Sequence, residues 1–155
     1  MSPKLIATIK YFIALSNNSP KKSLTNKKLQ KLLYYSQAWN LVLRDKALFK
    51  EDFQAWVHGP AIPEVYKEYK GYGCSVIDVD VNENDFKALT EDDKKILDEI
   101  WQVYGKYDAS YLEILSHNEE PWQKARNGCM PYDASVTIIS KQEMKEYYGR
   151  KAKEK

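Results

Sequence analysis

Four side chains in this sequence have the chemistry for catalysis or metal binding: His58, His117, Cys74 and Cys129. The two histidines sit in similar company, W-V-H-G-P and S-H-N-E-E-P-W. A general base needs an imidazole oriented by a carboxylate, and Glu119 or Glu120 could offer one to His117. No nucleophile motif accompanies either ring, so no catalytic residue is assigned. Architecture offers other roles. His117 can end a helix, where an imidazolium favours the carbonyl ends, and His58 can tie down the Gly59–Pro60 turn. Structural zinc sites bring ligands in pairs about two to five residues apart. Here the candidates are four singletons, so neither a metal nor another cofactor is expected.

The elements that must position these residues read as mainly helical. Pro3 opens a helix to about Ser16, with Leu5, Ile6, Ile9, Phe12 and Ile13 at helical spacing. In LTNKKLQKLLYYSQAWNLVL, Thr25 can cap, and Leu24 and Leu29 occupy hydrophobic-staple positions. Leu29, Leu32, Leu33, Ser36, Asn40 and Leu43 mark one face of this second helix. Lys27, Lys31, Tyr34, Ala38 and Leu41 mark the other, so the helix is central or shows one side to a partner. The segment to Val57 reads as extended, Gly59–Pro60 breaks the chain, and Pro63 starts a new helix. CSVIDVDV alternates and is the best strand, with VTIIS as a second. Thr90–Asp93, Ser110–Glu113 and Ser140–Glu143 have capping-box spacing before three further helices, and Pro121 starts a short one. The expected fold is one compact domain over 1–149, with six to seven helices and a small two-stranded ribbon. A basic tail over 150–155 is expected to fray.

The chain has 155 residues, 43% hydrophobic and 30% charged, with twelve tyrosines and four tryptophans. No apolar run approaches the roughly 20 residues needed to span a bilayer. The isolated cysteines fit a reducing cytoplasm. Net charge is +2 but unevenly spread. Residues 1–50 carry ten Lys/Arg against Asp45 alone, residues 51–120 carry six against seventeen acids, and residues 121–155 carry eight against four. Either the halves match internally or two charged faces are offered to partners. Lys27 and Lys31 beside Tyr34 would suit phosphate contact with stacking. A pI near 8.3 and a linker too long for a helix-turn-helix argue against nucleic acid.

The order of the pieces is more telling than any one of them. KLQKLLYYSQAWNLVLRDKALFKEDFQAWVHGPAIPEVYKEYKGYG resembles the Panacea domain, also called the SocA-type antitoxin domain, in its KLQKLLYY…W helix followed by LF…AW…GP…P.VY. LSHNEEPWQKAR resembles that family's (T/S)H…PW segment, and ISKQEMKEYY its closing helix. Ala61, where valine is frequent, and Ser116, where threonine is usual, are small departures. The likeness runs over about residues 3 to 149. It implies the antitoxin of a bacterial or phage toxin–antitoxin pair, as in prophages and phage defence. Such a chain neutralises a toxin encoded nearby by direct binding, and is not an enzyme. The alternatives are an adaptor delivering the toxin to a cellular protease, or a nucleic-acid-binding regulator using the basic second helix.

For a binding role, the candidate contact residues are Lys27, Lys31, Tyr34, Trp56, His58, Tyr66, Tyr69, His117 and Trp122, since aromatic anchors carry most interface energy. Either the acidic middle or the basic helix would meet a complementary toxin. Trp56 and Tyr66 are expected to lock the turn into the core, and His58 to bridge it to SHNEEPW.

Overall fold

The computed structural model describes residues 1–154. Its organising element is α2 (Asn26–Arg44), preceded by α1 (Pro3–Asn17). Thr25 caps α2 by accepting from the Lys28 N–H at 3.2 Å, and Leu24 and Leu29 are both fully buried. Almost every side chain of α2 is buried, polar ones included. Leu43 is the departure: it is 59% exposed instead of completing the apolar face.

The buried polar groups of α2 hold the irregular chain that follows it. Gln37 donates to the Phe49 carbonyl and accepts from the Leu48 N–H, both at 2.7 Å. Asn40 donates to the Lys46 carbonyl at 2.8 Å, and Gln30 accepts from the Ile62 N–H at 2.8 Å. Buried backbone must be paired, and here side chains of a helix supply what a missing strand would.

Strands β1 (Phe53–Trp56) and β2 (Gly59–Ala61) form a hairpin whose register pairs Trp56 with Gly59. β3 (Ile138–Ile139) adds to the other edge of β1, giving the antiparallel order β2-β1-β3. The helices are completed by α3 (Pro63–Tyr69), α4 (Glu91–Tyr104), α5 (Ala109–His117), α6 (Glu120–Ala125) and α7 (Lys141–Lys153). The fold is mainly helical, with seven α-helices among the described residues and a small sheet.

The sheet has three strands rather than two; VTIIS supplies β3 as expected, but the other expected strand is not among them. CSVIDVDV is not a strand. Its alternation is real, since Ile77 is fully buried, but its backbone pairs with helix ends. The Ile77 N–H donates to the Leu24 carbonyl at 2.8 Å, and Asn17 donates to the Val79 carbonyl at 2.9 Å. β2, formed by the Gly-Pro break itself, takes its place. Capping boxes form at Thr90–Asp93, as expected, but α5 is capped by Asp108, not Ser110. Ser140 accepts from the Glu143 N–H at 3.0 Å. The helix α7 runs to Lys153, past the residue at which fraying was expected.

Part of the charge asymmetry is matched inside the chain, where Lys4, Lys22, Lys27 and Arg44 pair with acids of the middle segment. Asp93, only 2% exposed, holds together three elements. It caps α4, receives Arg44 of α2 at 2.5 Å, and pairs with Lys4 of α1. Lys22 meets Asp78 at 3.2 Å. Burial alone would raise the Asp93 carboxyl, but its bonds to Lys4, Arg44 and the Thr90 N–H hold it well below the usual range. Asp93 is therefore not free to meet a partner.

Replacing Asp93 with alanine should cost about 3 kcal/mol at neutral pH, because Lys4 and Arg44 lose their buried partner. A depressed carboxyl stabilises above its unfolded pKa of about 3.9 and loses that contribution as pH falls. The gap between wild type and Asp93→Ala in urea unfolding should therefore shrink below about pH 4. A gap that does not change with pH would contradict this role.

Candidate functional site

Five of the nine candidate residues gather around one cleft of about 560 Å³: Lys27, Lys31, Trp56, His58 and Tyr66. The N-terminal half of α2 forms its floor, the β1–β2 hairpin one wall, and α3 with the turn after it the other. Ala134, Ser135 and Val136 form a lip. Trp56 and Tyr66 do not lock the core. They meet edge to face at 5.3 Å along the cleft, with Tyr66 45% exposed.

The floor depends on Gly59. Its φ is +104°, and a Cβ there would lie 2.6 Å from Cε of Lys31. Only glycine lets the turn settle over the lysine. Lys31 is 2% exposed and donates to the Pro60 carbonyl at 3.2 Å. Lys28 is buried too, bonded to Ser23 and lying over the Trp101 ring at 5.4 Å. The basic second helix is thus no solvated cationic surface, and the phosphate-contact reading of Lys27, Lys31 and Tyr34 loses two of its three residues.

Tyr34 is fully buried and Tyr69 is 7% exposed, so neither reaches the surface as a contact. Tyr34 belongs to a tyrosine cluster gathered by Glu119. That carboxylate accepts from Tyr35 at 2.6 Å and Tyr148 at 2.8 Å, and the Tyr34 hydroxyl lies 3.2 Å from that of Tyr148, whose oxygen can accept its proton. Burial raises the Glu119 carboxyl, and the two hydroxyls offset part of that. The KLLYY, NEEPW and KEYY stretches therefore meet in one buried node.

His117 ends α5 and stacks on Trp122 with ring centroids 4.0 Å apart. Its expected carboxylates are elsewhere: Glu119 is with the tyrosines, and Glu120 receives Arg150 at 2.7 Å. Burial lowers the His117 pKa, and nearby Lys31 adds to that against Glu113. It reads as packing, not as a base. His58 is 74% exposed and reaches Glu113 of α5 at 3.3 Å. The tie to SHNEEPW runs instead through Trp122, whose Nε1 donates to the Trp56 carbonyl at 2.8 Å. Lys27 also pairs with Glu113, and both partners depress that carboxyl against its burial. Glu113 is free for this because Asp108, not the Ser110–Glu113 pair, caps α5.

Sequence reasoning missed Arg126. Its guanidinium is 5% exposed and donates to the Ala55 carbonyl at 2.9 Å. It also donates to the carbonyls of Met130 and Asp133, at 3.2 and 2.7 Å. One side chain therefore fixes the loop of the lip to β1. That loop leaves Met130, Tyr132, Val136 and Ile138 between 53% and 91% exposed. The spacing of apolar residues gives no signal for this, because all its acceptors are backbone brought from elsewhere. Cys74 lines the cleft and Cys129 lies in the loop, both as free thiols. Among the described residues no three His, Cys, Asp or Glu side chains gather as metal ligands.

Residues 29–123, more than half of the chain, match the family described as Antitoxin SocA-like, Panacea domain. The chain belongs to that family. It is 28% identical over 115 residues to Antitoxin SocA of Caulobacter vibrioides (strain NA1000 / CB15N), covering 68% of this chain and 61% of that relative. The chain thus spans less than two thirds of that relative's length. No solved structure matches it. In this Panacea domain the hairpin and the Gln30 and Lys31 part of the cleft floor lie inside the matched residues, whereas Asn26, Lys27, Arg126 and the lip lie outside them. No helix among the described residues is long and apolar enough to cross a membrane.

The buried amine gives this floor a pH signature. Burial, then Lys27, lowers the Lys31 pKa to about 7, with Glu113 acting against them. An unfolded lysine titrates near about 10.4. Between those values the unfolded chain holds a proton that the folded chain has lost, so stability rises with pH. The rise should amount to a few kcal/mol, on the order expected for such a shift, between about pH 7 and 9.5. In urea unfolding, Lys31→Met should lose most of the rise, leaving the part due to Lys28, whose pKa burial also lowers. A flat wild-type profile would contradict a charge buried at this cost.

Proposed function

We propose that this chain is the antitoxin of a bacterial or phage toxin–antitoxin pair and neutralises its toxin by direct binding. Membership of the SocA-like family supports an antitoxin role. The observation that carries direct binding is the cleft, in which exposed Tyr66 and half-buried Trp56 stand on a floor and walls already fixed by buried bonds. A surface ordered before binding loses little entropy on association, so its aromatic groups contribute nearly their full worth. The antitoxin holds its toxin and does no chemistry on it. Of the lysines that would have served a nucleic-acid regulator, Lys31 is turned inward and Lys27 is paired with Glu113.

The test is co-expression with the short gene beside its own. That gene alone should stop growth, and this chain should restore it while the amount of toxin stays the same. Restored growth with toxin disappearing in a protease-dependent way would replace neutralisation by binding with delivery for degradation. A neighbouring product that neither harms the cell nor binds this chain would remove the antitoxin reading.

A further inference from the structure

The chemistry of the cleft specifies more than its being a binding site. Its walls are apolar, from Trp56, Val57, Ala61, Tyr66 and Val136. Every ionisable side chain lining it apart from Cys74 and Tyr66 is basic: Lys27, Lys31, His58 and Lys70. No carboxylate lines it. Lys27 and His58 share Glu113 behind the wall, and Lys31 lies beneath the floor. Lys70 is exposed and makes no ion pair among the described residues. An apolar occupant alone would leave Lys70 unanswered and Lys27 and His58 sharing one carboxylate, whereas a negative charge beside them would be met.

We infer that the cleft takes a polypeptide segment carrying a large apolar side chain next to a carboxylate, the apolar group filling the space between Trp56 and Val136 and the carboxylate meeting Lys70 and the Lys27–His58 rim. Naming that polypeptide the toxin rests on the antitoxin reading. Two observations favour a protein over a nucleic acid. The loop that supplies the lip also exposes the apolar side chains of Met130 and Tyr132, and β3 that of Ile138, groups that suit a protein surface better than a phosphate backbone. The positive charge is a local rim, partly neutralised by Glu113, and not a track along which a phosphate backbone could run. The lip also explains why the loop is fixed by a buried arginine: a floppy wall would make the partner order it on binding.

Panning a phage-displayed library of random peptides, roughly twelve residues long, on the full chain tests this apart from neutralisation. Selected peptides should combine Phe, Trp, Leu or Met with Asp or Glu within about four residues of it. Their affinity should fall about tenfold or more in Tyr66→Ala and in Lys70→Glu, and should not change in Lys95→Glu, a reversal on exposed α4 surface. Tyr66 and Lys70 are both exposed, so unchanged melting of the variants separates lost contact from lost fold. The proposal is overturned if no peptide is enriched, if the enriched peptides lack acids, or if Lys70→Glu behaves like Lys95→Glu. An oligothymidylate that displaces the peptides, with steep salt dependence, also overturns it. Co-expression gives the second arm. A toxin still neutralised by Tyr66→Ala,Lys70→Glu overturns the cleft while leaving the antitoxin reading intact. Acid-bearing peptides selected by a chain that rescues no toxin support the cleft and remove the antitoxin reading.

Discussion

The irregular middle of this chain is folded against the polar edge of α2. Residues 46 to 52 have no strand partner and β2 is an edge strand, so the backbone that α2 covers there must be paired in another way. Gln37, Asn40 and Gln30 supply those partners from one helix, and Lys31 adds a bond to the Pro60 carbonyl. Side chains that look in sequence like a recognition surface are therefore committed to the interior. The arrangement is demanding. A buried amide that loses its partner costs about 1–3 kcal/mol, and a buried amine costs more. In return the turn at Gly59–Pro60 has one position and not a family of them.

That fixed turn makes the cleft possible. The hairpin is held from three directions: by α2 beneath, by Trp122 on the Trp56 carbonyl, and by Arg126 on the Ala55 carbonyl. α6 brings Trp122 to the hairpin, and Arg126 follows directly from its end. The position of α6 in turn rests on Glu119, which anchors its N-terminus among Tyr35, Tyr148 and, through Tyr148, Tyr34. Buried tyrosines and a half-buried glutamate thus act at a distance, by setting where exposed Tyr66 and half-buried Trp56 stand. The chain spends its aromatic excess mostly on scaffold, and only a small part faces outward.

The legible parts were those decided by neighbours in sequence. Thr25, Thr90 and Ser140 cap the helices expected of them, and Pro3, Pro63 and Pro121 begin theirs. What failed was decided by partners far along the chain. Alternation in CSVIDVDV reports that one side is buried, which is true of Ile77, but says nothing of whether a strand lies alongside. Periodicity places Lys27, Lys31 and Tyr34 on one face, yet cannot say that the Gly59–Pro60 turn will cover it. The same limit let Tyr34 and Tyr69 pass as contacts and left Arg126 unseen. At α5 two acceptors competed within three residues, and Asp108 won the cap, which released Glu113 for Lys27 and His58.

The central claim is that the cleft and its lip meet the toxin while the buried network only holds them. Hydrogen exchange of this chain, free and with the product of the neighbouring gene proposed as its toxin, reads that directly, residue by residue. New protection should appear over the hairpin turn, the segment from Tyr66 to Cys74, and the loop from Met130 to Ile138. The amides of α4 should exchange as they do in the free chain. Protection confined to α4 and the exposed face of α5, with the hairpin and lip unchanged, would contradict the account.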